Sequence, residues 1–132
     1  QSRSSAASDV YKRQTLLKSK LHLARVTEIN RDYEGSLMID EALMDMAGIL
    51  PYEKILIANL ENGKRLETYA IPGKRGSGII GLNGAAVYIG KKGDRIIVFA
   101  FCHVPKEEAV THRPLVVILD ENNKPVGGVK TL

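Results

Sequence analysis

The sequence predicts a mainly β protein built as a small closed barrel, with one or two short helices. Two observations favour this fold class. Short apolar runs rich in β-branched residues recur along the chain, and turn residues such as glycine, asparagine and aspartate separate them at nearly regular intervals. The segments with helical features are short. Because 132 residues that are 44% hydrophobic suffice for one core, we expect a single domain over residues 15–132.

The first half of the chain contains the clearest predicted helix. Asp40 suits an N-cap and Gly48 suits a helix stop, which predicts a short helix over Glu41–Ala47. Strands are expected around it at residues 20–29, 36–39 and 55–60, with a turn at residues 30–32.

The second half begins with a predicted hairpin. Asn62-Gly63 is a strong signal for a type I′ turn, which needs positive φ at both central positions, and residues 65–71 form the return strand. The remaining elements are expected as a glycine-marked loop at 73–78, extended residues 79–80, a turn at 91–94, a strand at 95–102, one helical turn at 105–109, a strand at 115–119 and a turn at 121–124.

Residues 1–14 differ in composition from the rest. They are small and polar, with three basic residues against one acidic residue, and Val10 and Tyr11 are their only large apolar side chains. A secretory signal needs an apolar core of about 7–15 residues, which this segment lacks. A transit peptide is an alternative, but we interpret the segment as a non-native or disordered leader and leave it out of the fold.

Composition argues against several classes of function. No run approaches the roughly 20 apolar residues that span a bilayer, so we expect no membrane partner. The net charge of +4 comes from dispersed lysines and arginines, which gives little support to nucleic-acid binding. The lone Cys102 lies in an apolar strand and is expected to be buried, and no Cys/His spacing predicts a metal site.

A set of four short motifs carries more information than any of them alone. The chain contains, in order, Lys20-Leu21-His22, Gly35-Ser36, Asn62–Tyr69 and Leu82–Ala86. This set resembles the aspartate 1-decarboxylase family, and the resemblance runs from Leu16 to Val116. It implies a double-psi β-barrel in which the protein cuts its own Gly35-Ser36 bond, giving fragments 1–35 and 36–132. The new N-terminal serine becomes a pyruvoyl cofactor.

Elementary chemistry explains why such a cofactor is needed. Decarboxylation of an α-amino acid leaves a carbanion, and most enzymes stabilise it with pyridoxal phosphate. This chain shows no glycine-rich phosphate loop between a strand and a helix. A carbonyl made from the chain replaces that cofactor: the Ser36 hydroxyl attacks the Gly35 carbonyl to give an ester, elimination leaves dehydroalanine, and hydrolysis yields the keto group. Gly35 has no Cβ to obstruct the attack.

Four side chains are candidates for the remaining chemistry. Thr68 or Asn83 can donate hydrogen bonds to a developing oxyanion, the planar fork of Arg65 suits a substrate carboxylate, and Tyr69 can return a proton to Cα. Taken singly, Arg65 also fits a solvated charge beside a turn, and Tyr69 fits a half-buried strand aromatic. The resemblance implies substrate binding for Arg65, proton donation for Tyr69, self-processing for Asn83, and both processing and substrate contact for Thr68.

Further substrate contacts come from two other motifs. Lys20 and His22 alternate along a strand and therefore share a face. The resemblance implies that this lysine lies near the substrate carboxylate, that the histidine supports it, and that main-chain groups of Gly84, Ala85 and Ala86 contact substrate. Tyr33 fits barrel packing and a site role equally well.

The family resemblance predicts a complete function. We expect decarboxylation of L-aspartate at its α-carboxylate to β-alanine and CO2, through a Schiff base, for pantothenate and coenzyme A synthesis. The resemblance also implies a cytoplasmic homotetramer with sites between subunits; the motifs do not distinguish spontaneous cleavage from cleavage assisted by a partner. A DNA-binding β-barrel regulator is the alternative, and it would need clustered basic residues. A serine hydrolase would need a Gly-x-Ser-x-Gly elbow, which is missing.

Overall fold

Nine strands form one continuous mixed sheet in the computed structural model, which describes residues 12–132. The strands are β1 Arg13–Arg25, β2 Glu28–Asn30, β3 Leu37–Asp40, β4 Lys54–Asn59, β5 Arg65–Gly73, β6 Ile80–Asn83, β7 Arg95–Pro105, β8 Leu115–Ile118 and β9 Lys130–Thr131. The helices are α1 Glu41–Ala47, α2 Lys106–Ala109 and a 3-10 helix, Gly84–Ile89. None of the described helices is long and apolar enough to cross a membrane.

The strand order is β2-β6-β3-β5-β4-β7-β1-β8-β9. Three pairs are parallel, namely β1 with β8, β2 with β6 and β3 with β5, and the other pairs are antiparallel. The parallel pairs require chain crossovers, so the sheet does not wind as a simple meander. The predicted mainly β fold with short helices is confirmed.

The core lies inside the curled sheet. Alternate residues of the strands point inward, and Leu21, Ile57 and Val98 are each 0% exposed. Full burial of such a side chain contributes about 1.5–3 kcal/mol. Leu43 and Met44 of α1 join the same core, which fixes the helix against the barrel.

Asp40 joins helix α1 to the loop after β5. Its carboxylate accepts hydrogen bonds from the backbone N–H of Ala42 (2.8 Å), Gly76 (2.9 Å) and Gly78 (2.8 Å). Burial raises the pKa of this carboxyl, but the three N–H donors outweigh burial, so the pKa lies below its ordinary value. Gly48 ends the helix with φ +68°, and the predicted limits and caps of α1 are confirmed.

The predicted type I′ turn at Asn62-Gly63 is wrong. Gly63 has φ +76° but Asn62 does not have positive φ, and Asn59 closes a four-residue loop by donating to the carbonyl of Lys64 at 2.9 Å. The Asn62 side chain accepts from Lys64 N (2.9 Å) and donates to Ile89 O (3.1 Å). The Asn62 side chain is thus anchored to the 3-10 helix, which favours the longer loop. The sequence did not predict this helix.

The boundary that we predicted for the leader is too late. Strand β1 begins at Arg13, and Arg13 and Gln14 pair with Pro105 and Val104 of β7. Backbone hydrogen bonds hold these polar residues in the sheet, and a side-chain pattern cannot reveal such pairing. Residues 1–11 lie outside the described residues, so the leader prediction stands untested there.

Candidate active site

Strand register places the Gly35-Ser36 bond between β5 and β6. Leu37 pairs with Ala70 of β5 and with Leu82 of β6. Ser36 is one residue earlier, so its neighbours across the sheet are Tyr69 and Asn83. The Asn83 N–H donates to the Ser36 carbonyl at 2.9 Å, and Asn83 is buried. Residues far apart in sequence therefore meet at this bond, as predicted.

The Ser36 hydroxyl is in hydrogen-bond contact with the Thr68 hydroxyl. Either oxygen can be the donor. A serine hydroxyl is a weak nucleophile, and a hydrogen bond that fixes its direction favours attack on an adjacent carbonyl. This contact fits the conversion of Ser36 to a pyruvoyl group.

The backbone around Gly35 leaves no room for a side chain. A Cβ on Gly35 would clash with Ile71 Cδ1 and lie 2.9 Å from the Tyr33 ring. Gly84 approaches from the other side with φ +57°, and a Cβ there would lie 3.4 Å from the Tyr33 carbonyl oxygen and 3.8 Å from that of Gly35. Two glycines thus allow close backbone approach at the carbonyl to be attacked.

Tyr69 lies on the upstream side of the same bond. Its phenolic oxygen donates a hydrogen bond to the Glu34 carbonyl at 3.0 Å, and its side chain is 38% exposed. A proton donor here is both held in place and reachable from solvent, which suits a group that protonates a bound substrate. The sequence did not reveal the Glu34 contact, because a backbone acceptor leaves no residue-type signal.

The structure does not bring Lys20, His22 or Arg65 to Ser36 within one chain. Lys20 pairs with Phe99 of β7 and Val116 of β8, and three strands separate β1 from β3 in the sheet order. Arg65 lies exposed at the start of β5.

These groups nevertheless border one outer surface. Pairing across β5, β4, β7 and β1 aligns Glu67, Leu56, Phe99 and Lys20 in one row. Arg65 and Tyr69 flank Glu67 on the same face of β5, because alternate residues of a strand share a face. The middle of this surface is apolar and only partly covered, which is typical of a surface that meets another molecule.

The surroundings of His22 favour its neutral form. Burial lowers the pKa of His22, and the charges of Lys20 and Lys130 lower it further. Its buried Nδ1 has no hydrogen-bond partner among residues 12–132.

The third predicted substrate motif lies in the 3-10 helix. Ala85 is exposed, whereas Ala86 is 1% exposed and packs in the core. No group of three or more potential metal-ligating side chains occurs within the described range.

Comparison with known proteins identifies the family. The family model described as aspartate decarboxylase matches residues 12–126. The chain belongs to this family. It is therefore a decarboxylase, a lyase of a family whose pyruvoyl cofactor derives from serine by self-cleavage, and its barrel is of the double-psi type, as predicted. The alternatives of a non-catalytic DNA-binding module and a serine hydrolase are set aside.

Similar proteins cover most of the chain. It is 52% identical to the aspartate 1-decarboxylase of Geobacillus sp. (strain WCH70) over 83% of this chain and 87% of the relative. It is 53% identical to that of Caldicellulosiruptor saccharolyticus over 83% and 85%, and 51% identical to that of Bacillus subtilis (strain 168) over 83% and 87%.

Proposed function

We propose that this chain decarboxylates L-aspartate to β-alanine and CO2, and thereby supplies pantothenate and coenzyme A synthesis in the cytoplasm. The relatives named aspartate 1-decarboxylase support the substrate. The observation that carries the proposal is the contact between the Ser36 and Thr68 hydroxyls beside Gly35, a position that only glycine can occupy.

Self-cleavage begins at Ser36. Its Oγ attacks the Gly35 carbonyl carbon and the peptide C–N bond breaks. The freed Ser36 nitrogen takes up the proton that the hydroxyl has lost, and an ester then joins the two residues. Loss of the Ser36 α-proton expels the Gly35 carboxylate and leaves dehydroalanine. Water then hydrolyses the dehydroalanine and releases its nitrogen as ammonia. This leaves a keto group on residue 36 and the two fragments 1–35 and 36–132.

The neighbours of the bond assist this sequence. Thr68 orients the Ser36 hydroxyl and, with Asn83, donates to the oxyanion that forms on the Gly35 oxygen. The Asn83 N–H keeps its hydrogen bond to the Ser36 carbonyl throughout, because both residues belong to the downstream fragment. Gly84, which has no Cβ, lets the backbone pass close to the Gly35 oxygen.

Decarboxylation uses a second set of groups. The pyruvoyl carbonyl supplies the electron sink for the carbanion. Arg65 and Lys20 bind the substrate carboxylates, and His22 is a supporting hydrogen-bonding residue for the substrate. Main-chain N–H groups of Gly84–Ala86 contact the same substrate. Tyr69 donates the proton that Cα receives after CO2 has left.

The active unit that we propose is a homotetramer with each site between neighbouring subunits. Support comes from the position of Lys20 and Arg65, which face outward rather than toward Ser36 of their own chain. The partly covered apolar residues between them, together with Phe101 at 44% exposed, give such an interface its packing surface.

Intact mass spectrometry combined with a β-alanine assay tests this function. We expect two fragments that meet between Gly35 and Ser36, a downstream fragment with a blocked N-terminus, and β-alanine from L-aspartate. Glutamate serves as the matched control substrate, because it differs by one methylene group. A single uncleaved mass after prolonged incubation, with no β-alanine formed, would contradict the proposal.

A further inference from the structure

The C-terminal strand β9 brings a second lysine beside Lys20. Lys130 pairs with Val116 of β8, and Val116 pairs with Lys20 of β1. Directly paired residues of adjacent strands point to the same face, and neighbouring strands lie about 4.8 Å apart. The two lysines therefore lie in one row, two strand spacings apart, which is within the joint reach of their side chains. The family match ends at residue 126, so it does not include Lys130.

His22 completes this group. It lies two residues after Lys20 on β1 and pairs with Ile118 of β8, so its ring shares the face of both lysines. The charges of Lys20 and Lys130 both act on it. Its buried Nδ1 has no hydrogen-bond partner among the described residues, and in one tautomer that atom is a donor. We call Lys20, His22 and Lys130 the cationic surface.

The cationic surface has no neutralising acid among residues 12–132. Neither Lys20 nor Lys130 forms an ion pair there. Other lysines of β1 and β4 are compensated: Lys18 pairs with Glu53 at 2.6 Å and Lys54 with Glu67 at 3.3 Å. Two uncompensated ammonium groups in one row form a site for an anion.

We propose that Lys130 is a substrate-binding residue that acts with Lys20 and His22 on one carboxylate of the dicarboxylate substrate. This rests on the proposed function, which supplies the substrate and the role of Lys20. Carboxylates accept several charge-assisted hydrogen bonds, so one carboxylate satisfies both lysines. Strand β9 then contributes to affinity, while the bond-making groups around Ser36 are unaffected.

Steady-state kinetics of Lys130→Ala test this proposal. We expect the KM for L-aspartate to rise about fivefold, the effect of one partly exposed charge pair, with kcat and self-cleavage unchanged. Lys130→Arg should keep the wild-type KM. The inhibition constant of succinate, a dicarboxylate without the amine, should rise by the same factor as the KM. Lys92→Ala is the matched control, because it removes the charge of an exposed lysine that has no ion pair with the described residues.

Three outcomes would overturn the assignment. The KM of Lys130→Ala could stay at the wild-type value, or Lys92→Ala could raise it equally, which would indicate net charge alone. Alternatively, kcat and thermal stability could fall together without rescue by Lys130→Arg, which would indicate a structural role of β9. A wild-type enzyme that forms no β-alanine would instead refute the proposed function, so the two failures are distinguishable.

Discussion

Two regions of the molecule handle polar groups in opposite ways. In the cleavage region, which comprises Gly35, Ser36, Thr68, Asn83 and Gly84, polar groups meet one another within one chain. In the cationic surface, charges face outward with no acid among the described residues to neutralise them. Self-cleavage has no external substrate, so its geometry must be complete inside the chain. Substrate binding needs charged groups that are not already paired, and Lys20 and Lys130 have no ion pair among the described residues.

Loss of the Ser36 hydroxyl should produce the largest effect. Ser36→Ala removes the hydroxyl that attacks Gly35 in the proposed mechanism, so we expect one uncleaved mass and no β-alanine. Ser77→Ala is the control, because its hydroxyl bonds only within its own loop, donating to the Lys74 carbonyl and accepting from the Ile79 N–H, and it should cleave normally. Two fragments from Ser36→Ala would show that another nucleophile cuts the chain.

Tyr69→Phe should separate the two activities. The ring and its packing remain, and Ser36, Thr68 and Asn83 are intact, so cleavage should proceed to two fragments. Turnover should fall by roughly 10²–10⁴-fold, the usual contribution of one general acid. Undiminished turnover by the cleaved variant would remove Tyr69 from the mechanism and make His22 the next candidate.

Complementation tests whether the two regions come from different subunits. Ser36→Ala and Arg65→Ala should each be inactive alone, the second although it is cleaved. Co-expressed, they should regain about a quarter of wild-type activity. With random mixing, one site in four receives its Ser36 from an Arg65→Ala chain and its Arg65 from a Ser36→Ala chain. If each site were built within a single chain, the mixture would remain inactive.

The sequence predicted the fold class and the approach of Thr68 and Asn83 to Ser36, but it missed several backbone features around them. The motif set pointed to Ser36, Thr68 and Asn83, because a family resemblance is carried by side-chain identity. Backbone features left no such signal: the Tyr69 contact to a carbonyl, the longer hairpin loop around Asn62, and the pairing of Arg13 were all missed. Lys130 was missed for another reason, since its position beside Lys20 depends on long-range strand register.

Gly84→Ala should impair the cleavage region without removing a polar group. A non-glycine residue at φ +57° costs about 1–2 kcal/mol, and the new Cβ would lie 3.4 Å from the Tyr33 carbonyl oxygen and 3.8 Å from that of Gly35. We expect self-cleavage to slow by about tenfold, measured by fragment mass over time. Gly48→Ala is the control, because it has similar strain at φ +68° but no atom within 4 Å of the added Cβ. Equal slowing by both variants would attribute the effect to general destabilisation.

The Tyr52→Asn substitution should have the smallest effect. It tests whether backbone strain outside the two regions contributes to function. Tyr52 lies outside both regions, is 76% exposed, and has φ +69°, a conformation that asparagine adopts more readily than tyrosine. Its N–H donates to the Ala70 carbonyl at 2.7 Å, so the fold imposes this conformation. Tyr52→Asn should therefore raise the free energy of unfolding by about 0.5–1 kcal/mol, measured by denaturant unfolding in the uncleaved Ser36→Ala background.

The matched control for that variant is Leu50→Asn. Leu50 belongs to the same loop, is 69% exposed and does not have positive φ, so its replacement removes a similar apolar surface without relieving strain. Its free energy of unfolding should not increase. In the cleavable chain, Tyr52→Asn should leave fragment formation and β-alanine production at wild-type levels. Slower cleavage in the more stable variant would mean that strain in this loop supports processing at Ser36, and the division between the two regions would then be incomplete.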